Sequence, residues 1–113
     1  MSNKYTVIYS PEARNDLRAI YSYIRNVLKE PKTAKEQSVR IRDQIKTLDT
    51  FPERNTPVDW EPWLSMGMRK MPIDNYIVFY LTDNETRTIN IVRIVYGGRN
   101  ISEITINNLR TSV

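Results

Sequence analysis

Apolar positions recur at two spacings along the chain: about two residues near both ends and about 3.6 residues in between. Residues 4–9, KYTVIY, carry the β-branched and aromatic residues of a strand. A helical pattern follows. Ser10 is placed to cap it, Pro11 suits its first turn, and Glu12 favours the positive end of its dipole. Ala13, Leu17, Ile20, Tyr21, Ile24 and Leu28 form its apolar stripe, while Arg14, Arg18 and Arg25 fall off it. Pro31 interrupts the pattern. Residues 33–49 resume it with Ala34, Ile41, Ile45 and Leu48, Ser38 filling the gap, and Lys35, Arg42 and Lys46 pointing elsewhere. So short a break predicts an antiparallel helical hairpin.

Residues 51–63, FPERNTPVDWEPW, read as a loop because of their prolines and turn formers. Trp60 and Trp63 inside it are expected to plug one end of the core, with an exposed patch as the alternative. Strand-like segments then cover residues 64–73, 75–82 and 88–96, the last two joined by a short turn. The expected fold is α+β, in the order β-α-α-β-β-β. An N-terminal strand and an antiparallel helical hairpin precede a three-stranded antiparallel meander, and all strands join one small sheet. The hairpin covers one face of that sheet and leaves the other uncovered. One domain spans residues 1–113, with residues 101–113, rich in Asn and Thr, as a flexible tail, a weak helix or a further strand.

Composition narrows the chemistry. The chain has neither cysteine nor histidine, which excludes disulfides, thiolate nucleophiles, thiolate-held zinc and the commonest general base. No cofactor and no metal are expected. The net charge of +4 is uneven. Residues 1–50 carry ten Lys and Arg against six Asp and Glu, and residues 51–113 carry seven of each. A basic half is either a solvated helical face or a surface for an anionic partner. No apolar run resembles an export signal or a membrane span, so a cytoplasmic protein with no membrane partner is expected.

The segment INIVRIVYGGRN, residues 89–100, holds the candidate site residues. Strand alternation places Ile89, Ile91, Arg93 and Val95 on one face and Asn90, Val92, Ile94 and Tyr96 on the other. Arg93 in a buried strand is either an internal ion pair or a surface cation. Arg99 follows Gly97 and Gly98, where the backbone turns freely, and can project from the end of the sheet.

The chain resembles the RelE/ParE superfamily of bacterial toxins from type II toxin–antitoxin modules. The likeness is carried by YTVIYSPEARNDLRAIYSYI, LDTFPER and MRKMPIDNYIVFYLTDNETRTINIVRIVYGGRN, in that order and spacing. It implies a toxin neutralised by a cognate antitoxin, in a hetero-oligomer whose apolar groove, rimmed by Lys and Arg, receives an acidic amphipathic segment. It also implies one of two targets. ParE-like members inhibit DNA gyrase, whereas RelE-like and YoeB-like members cut mRNA in the ribosome without a metal. On the nuclease reading the catalytic residues are Arg69, Arg93, Tyr96 and Arg99. Arg99 matches the arginine after the last strand of RelE-like members, and Tyr96 is similar in place to the C-terminal tyrosine of YoeB-like members. The penultimate-strand arginine of those branches falls at Ile77, and only Arg69 and Lys70 stand near their upstream lysines. RIVYGGRN is more similar to the ParE-like ending, with Asn100 where an aspartate is usual. Gyrase inhibition is therefore the favoured expectation, with mRNA cleavage or an inactive, antitoxin-binding fold as alternatives.

Overall fold

The computed structural model describes residues 4–97. A short strand, β1 (Thr6–Tyr9), leads into helix α1 (Pro11–Ser22), which ends in a wider, π-helical turn at Tyr23–Val27. Helix α2 (Pro31–Lys46) returns antiparallel and tightens into a 3-10 turn at Thr47–Asp49. A 3-10 turn at Pro52–Arg54, strand β2 (Thr56–Pro57) and the single helical turn α3 (Trp63–Met66) follow. Strands β3 (Arg69–Ile73), β4 (Tyr76–Asp83) and β5 (Thr88–Tyr96) complete the described chain. The five strands form one sheet in the order β1-β5-β4-β3-β2. β1 runs parallel to β5, and the other neighbours are antiparallel. This is the expected α+β plan: a strand, a helical hairpin and an antiparallel meander in one sheet.

Ser10 joins the first strand to the first helix. Its side chain accepts from the Ala13 N–H at 2.9 Å, capping α1, and donates to the Val92 carbonyl at 2.9 Å. β1 pairs with β5 only as far as Ile91. Beyond that point α1 takes over the vacant edge of β5, so the strand's unpaired groups are covered rather than left open. Ile41, Ile45 and Leu48 from α2 and its 3-10 extension, with Ala13 and Leu17 from α1, pack on Val78, Tyr80, Ile89, Ile91 and Ile94.

Five expectations need correction. The segment 64–73 is not one strand. Its start is the helical turn α3, ended by Gly67 at a φ of +80°, a left-handed conformation that glycine adopts without steric cost. The loop at 51–63 is more ordered than its prolines suggest, because Thr56–Pro57 adds a fifth strand on β3.

The strict alternation assigned to the last strand also fails. Phe79 faces Arg93 but Tyr80 faces Ile91, so Val92 is an extra residue, a β-bulge. The bulge shifts the count by one. Ile89, Ile91 and Ile94 therefore share the helical face, while Val92 and Val95 share the other. Nor is the second face of the sheet uncovered. Val58, Trp63 and Met68 pack there on Phe79 and Val95, with half-buried Trp60, Ile77, Leu81 and Val92 around them. The tryptophans roof this second face and do not plug an end of the main core. Trp60 meets Phe79 edge-on at 6.2 Å between centroids.

Candidate functional site

Arg93 is an internal ion pair. Its Nε donates to Asp16 Oδ2 at 2.7 Å and its Nη2 to Oδ1 at 2.9 Å. The same Oδ2 accepts from the Ile94 N–H at 2.8 Å, a backbone donor freed by the end of β1. The arginine and carboxylate side chains are only 12% and 15% exposed. A bidentate fork of this kind fixes both partners in register. Asp16 was not visible as a partner in the sequence, because the pair spans 77 positions.

Arg69 is also engaged. Its Nη1 donates to the Asn55 carbonyl at 2.6 Å, beside Tyr80. The Tyr80 hydroxyl donates to the Pro52 carbonyl at 2.6 Å and accepts from Asn55 Nδ2 at 3.1 Å. Burial pushes the Tyr80 phenol above its ordinary pKa, against the pull of Asn55 and the nearby Arg69 and Arg54. These contacts lace residues 52–57 to the sheet. Lys70, next along, lies over the Trp60 ring at 5.9 Å from its centroid.

Tyr96 stands at the opposite end of the strands, half-exposed, against Tyr76 at 6.0 Å between ring centroids. Arg69 is in register with Tyr80, and Tyr96 with Tyr76. Two strand spacings and four residues of rise separate Arg69 from Tyr96 by roughly 16 Å. The two therefore do not converge on one reacting atom. Arg99 lies outside the described residues.

The described residues do bring cations together elsewhere. Between α1 and α2 runs a groove of about 580 Å³ with Leu17, Tyr21 and Val39 along it and Arg18, Arg25, Lys35 and Arg42 beside them. Among the described residues no carboxylate lines it. A second hollow of about 340 Å³ continues it past the start of α1, through Tyr9, Arg14 and Asn15, and shares Arg18. Burial raises the Tyr9 phenol, and the positive field of Arg42 opposes the shift. The sequence signal for this surface was present: cations off the apolar stripe on both helices. Antiparallel packing turns those two rows toward one groove. Among the described residues no cluster of three or more acidic side chains is placed to hold a metal ion. No described helix is long and apolar enough to cross a membrane.

Residues 7–101 match the model of the ParE toxin of the type II toxin–antitoxin system parDE. No curated protein matches the chain. Among solved structures, the chromosomal ParDE toxin–antitoxin system from Pseudomonas aeruginosa aligns with a TM-score of 0.70 and 22% identity, over 84% of this chain and 98% of that one. The toxin–antitoxin complex RelBE2 from Mycobacterium tuberculosis aligns at 0.59 and 22% identity, over 82% and 98%. A mutant of the Escherichia coli toxin RelE in the free state aligns at 0.61 and 12% identity, over 97% and 99%. Likeness at these identities speaks for the fold alone.

Proposed function

The chain belongs to the ParE toxin family of type II toxin–antitoxin systems, and on that premise we propose that it is a cytoplasmic, non-enzymatic toxin that inhibits DNA gyrase. The observation that supports this reading over mRNA cleavage is the state of the sheet. A nuclease needs free cations and an acid–base group converging on a phosphate. Here the second sheet face carries Phe79, Val92 and Val95 under Val58, Trp63 and Met68. Arg93 is held by Asp16, Arg69 by the Asn55 carbonyl, and Tyr96 stands at the far end.

The proposal includes a cognate antitoxin. The groove between α1 and α2 has the character that an acidic amphipathic helix requires. Leu17, Tyr21 and Val39 offer apolar contact, and cations stand on both sides. The chain and its antitoxin then form a hetero-oligomer in which toxicity is blocked.

Purified protein tests the reading. Inhibition of gyrase supercoiling, relieved by an equimolar amount of the antitoxin, is the expected result, with mRNA on translating ribosomes left intact. Cleavage of ribosome-bound mRNA with supercoiling unaffected would replace the reading by the RelE-like one. Tight antitoxin binding with neither activity would identify an inactive toxin fold.

A further inference from the structure

A toxin of this kind meets two partners, and the groove between the helices accounts for only one. A second surface lies where the helical hairpin overhangs the end of the sheet. α1 follows the direction of β5: Ser10 bonds to Ile91 and Val92, Asp16 to Ile94, and Tyr23 reaches the neighbourhood of Tyr76 and Tyr96. The same end is clamped from α2, where Arg40 and Gln37 donate to the Asp74 carboxylate in the β3–β4 turn. The hairpin is thus tied to the sheet by two separate carboxylates, Asp16 and Asp74.

What this end displays is apolar. Tyr23 is 53% exposed, Val27 62%, Leu28 50% and Tyr96 53%, although Ile24 between them is 5% exposed. Helical spacing puts Leu28 on the buried stripe with Ile24; the structure does not. The π-helical turn at Tyr23–Val27 widens the helix by one residue, and Lys29 at a φ of +60° closes it. Both changes swing Val27 and Leu28 outward. Tyr76 and Tyr96 meet edge-on at 6.0 Å between ring centroids, and burial raises the Tyr76 phenol, with the phenols of Tyr96 and Tyr23 adding to the rise. None of their hydroxyls bonds to another described side chain. Exposed, rigid aromatic groups with free hydroxyls are what protein interfaces use as anchors. Arg25, Lys29 and Lys32 are all exposed within the tip segment, with Glu30 as the one acid in residues 23–32.

We propose that Tyr23, Val27, Leu28, Tyr76 and Tyr96 form the surface by which the toxin engages its target, a protein face with an apolar socket and an acidic rim. This surface is distinct from the groove that receives the antitoxin. The proposal rests on the toxin reading, but not on gyrase being the target.

Two variants, Tyr23→Ala and Val27→Asp, test it, each checked for an unchanged thermal midpoint, with Glu85→Gln, in the exposed β4–β5 turn at the other end of the sheet, as the control. Growth of a bacterial host after induction, inhibition of gyrase supercoiling and affinity for the antitoxin are measured side by side. The expected result is relief of growth arrest and at least a tenfold loss of target inhibition in the two variants. Antitoxin affinity stays within twofold of the parent chain, and Glu85→Gln remains toxic. Wild-type toxicity in either variant overturns the proposal, as does a parallel loss of antitoxin affinity, which would assign the tip to the antitoxin. Self-association of the parent chain that Val27→Asp abolishes would assign the tip to a second copy and overturns it equally. If the parent chain arrests growth without touching gyrase, the gyrase reading fails, while relief of that arrest by the variants still supports the surface.

Discussion

Removing the Asp16 carboxylate should be among the most damaging single changes to this fold. Asp16→Ala leaves the Arg93 guanidinium without its counter-charge and the Ile94 N–H without an acceptor. Both side chains of the pair are largely buried, so the small contributions measured for exposed ion pairs do not apply. Breaking a buried pair by deleting one partner costs about 3–5 kcal/mol. Arg93→Ala should cost less, because the remaining carboxylate still accepts from the Ile94 N–H. At about 2.1 cal/mol/K per residue, a chain of this length loses roughly 4 °C of thermal midpoint for each kcal/mol. Asp16→Ala should therefore melt roughly 12–20 °C below the parent chain. Thermal and urea denaturation of the two single variants and the double variant make the measurement. In the double variant the guanidinium is no longer stranded, so its loss should fall short of the sum by more than about 1 kcal/mol. A shift of under about 1 kcal/mol for Asp16→Ala, or strict additivity, would refute the view that this pair ties α1 to the free edge of β5.

Phe79→Ala removes the ring at the centre of the second sheet face and should cost about 3–5 kcal/mol in urea unfolding, with Trp fluorescence shifting as Trp60 and Trp63 lose their floor. Tyr80→Phe strips the donor from the Pro52 carbonyl and the acceptor from Asn55, and should cost about 1–3 kcal/mol in the same assay. Asp74 is held down to a pKa of about 2 by its hydrogen bonds from Arg40 and Gln37. A depressed carboxylate contributes stability above its unfolded pKa and loses it as the pH falls toward the folded one. The stability gap between the parent chain and Asp74→Asn should hold steady above about pH 5 and close toward pH 2, remaining small because the pair is at the surface. Reversing Arg18 and Arg42 together to glutamate should weaken antitoxin binding at least about tenfold in calorimetry, with the loss shrinking as salt is raised.

The sheet shows where a reading of one sequence stops. The existence of β1, β3, β4 and β5 follows from local composition, although β2 and the turn α3 do not, and the two long helices follow from their stripes and caps: Ser10 and Pro11 announce α1, and Pro31 sits at the first position of α2. The face a residue occupies does not follow so directly, because one inserted residue reverses it. Val92 is that residue, and nothing in IVRIV marks it. The bulge is explained by a nonlocal event: β1 ends at Ile91, and α1 takes the vacated edge through Ser10 and Asp16. Asp16 thereby gains both a backbone donor and Arg93.

The same event bears on the candidate chemistry. Arg93, which strand alternation left open between an ion pair and a surface cation, is tied to the first helix. The wider turn at Tyr23–Val27 has the converse effect, since it delivers to solvent two aliphatic side chains whose neighbour Ile24 stays buried. In both places a departure from regular backbone geometry changes which side chains are available to a partner. Exposed cations lie along the helical groove, exposed aromatic and aliphatic groups lie at the hairpin tip, and the sheet face between the tryptophan roof and β5 is taken up by packing. On the proposed reading the cationic groove takes the antitoxin and the apolar tip takes the target, so the two partners would meet chemically unlike surfaces of one chain.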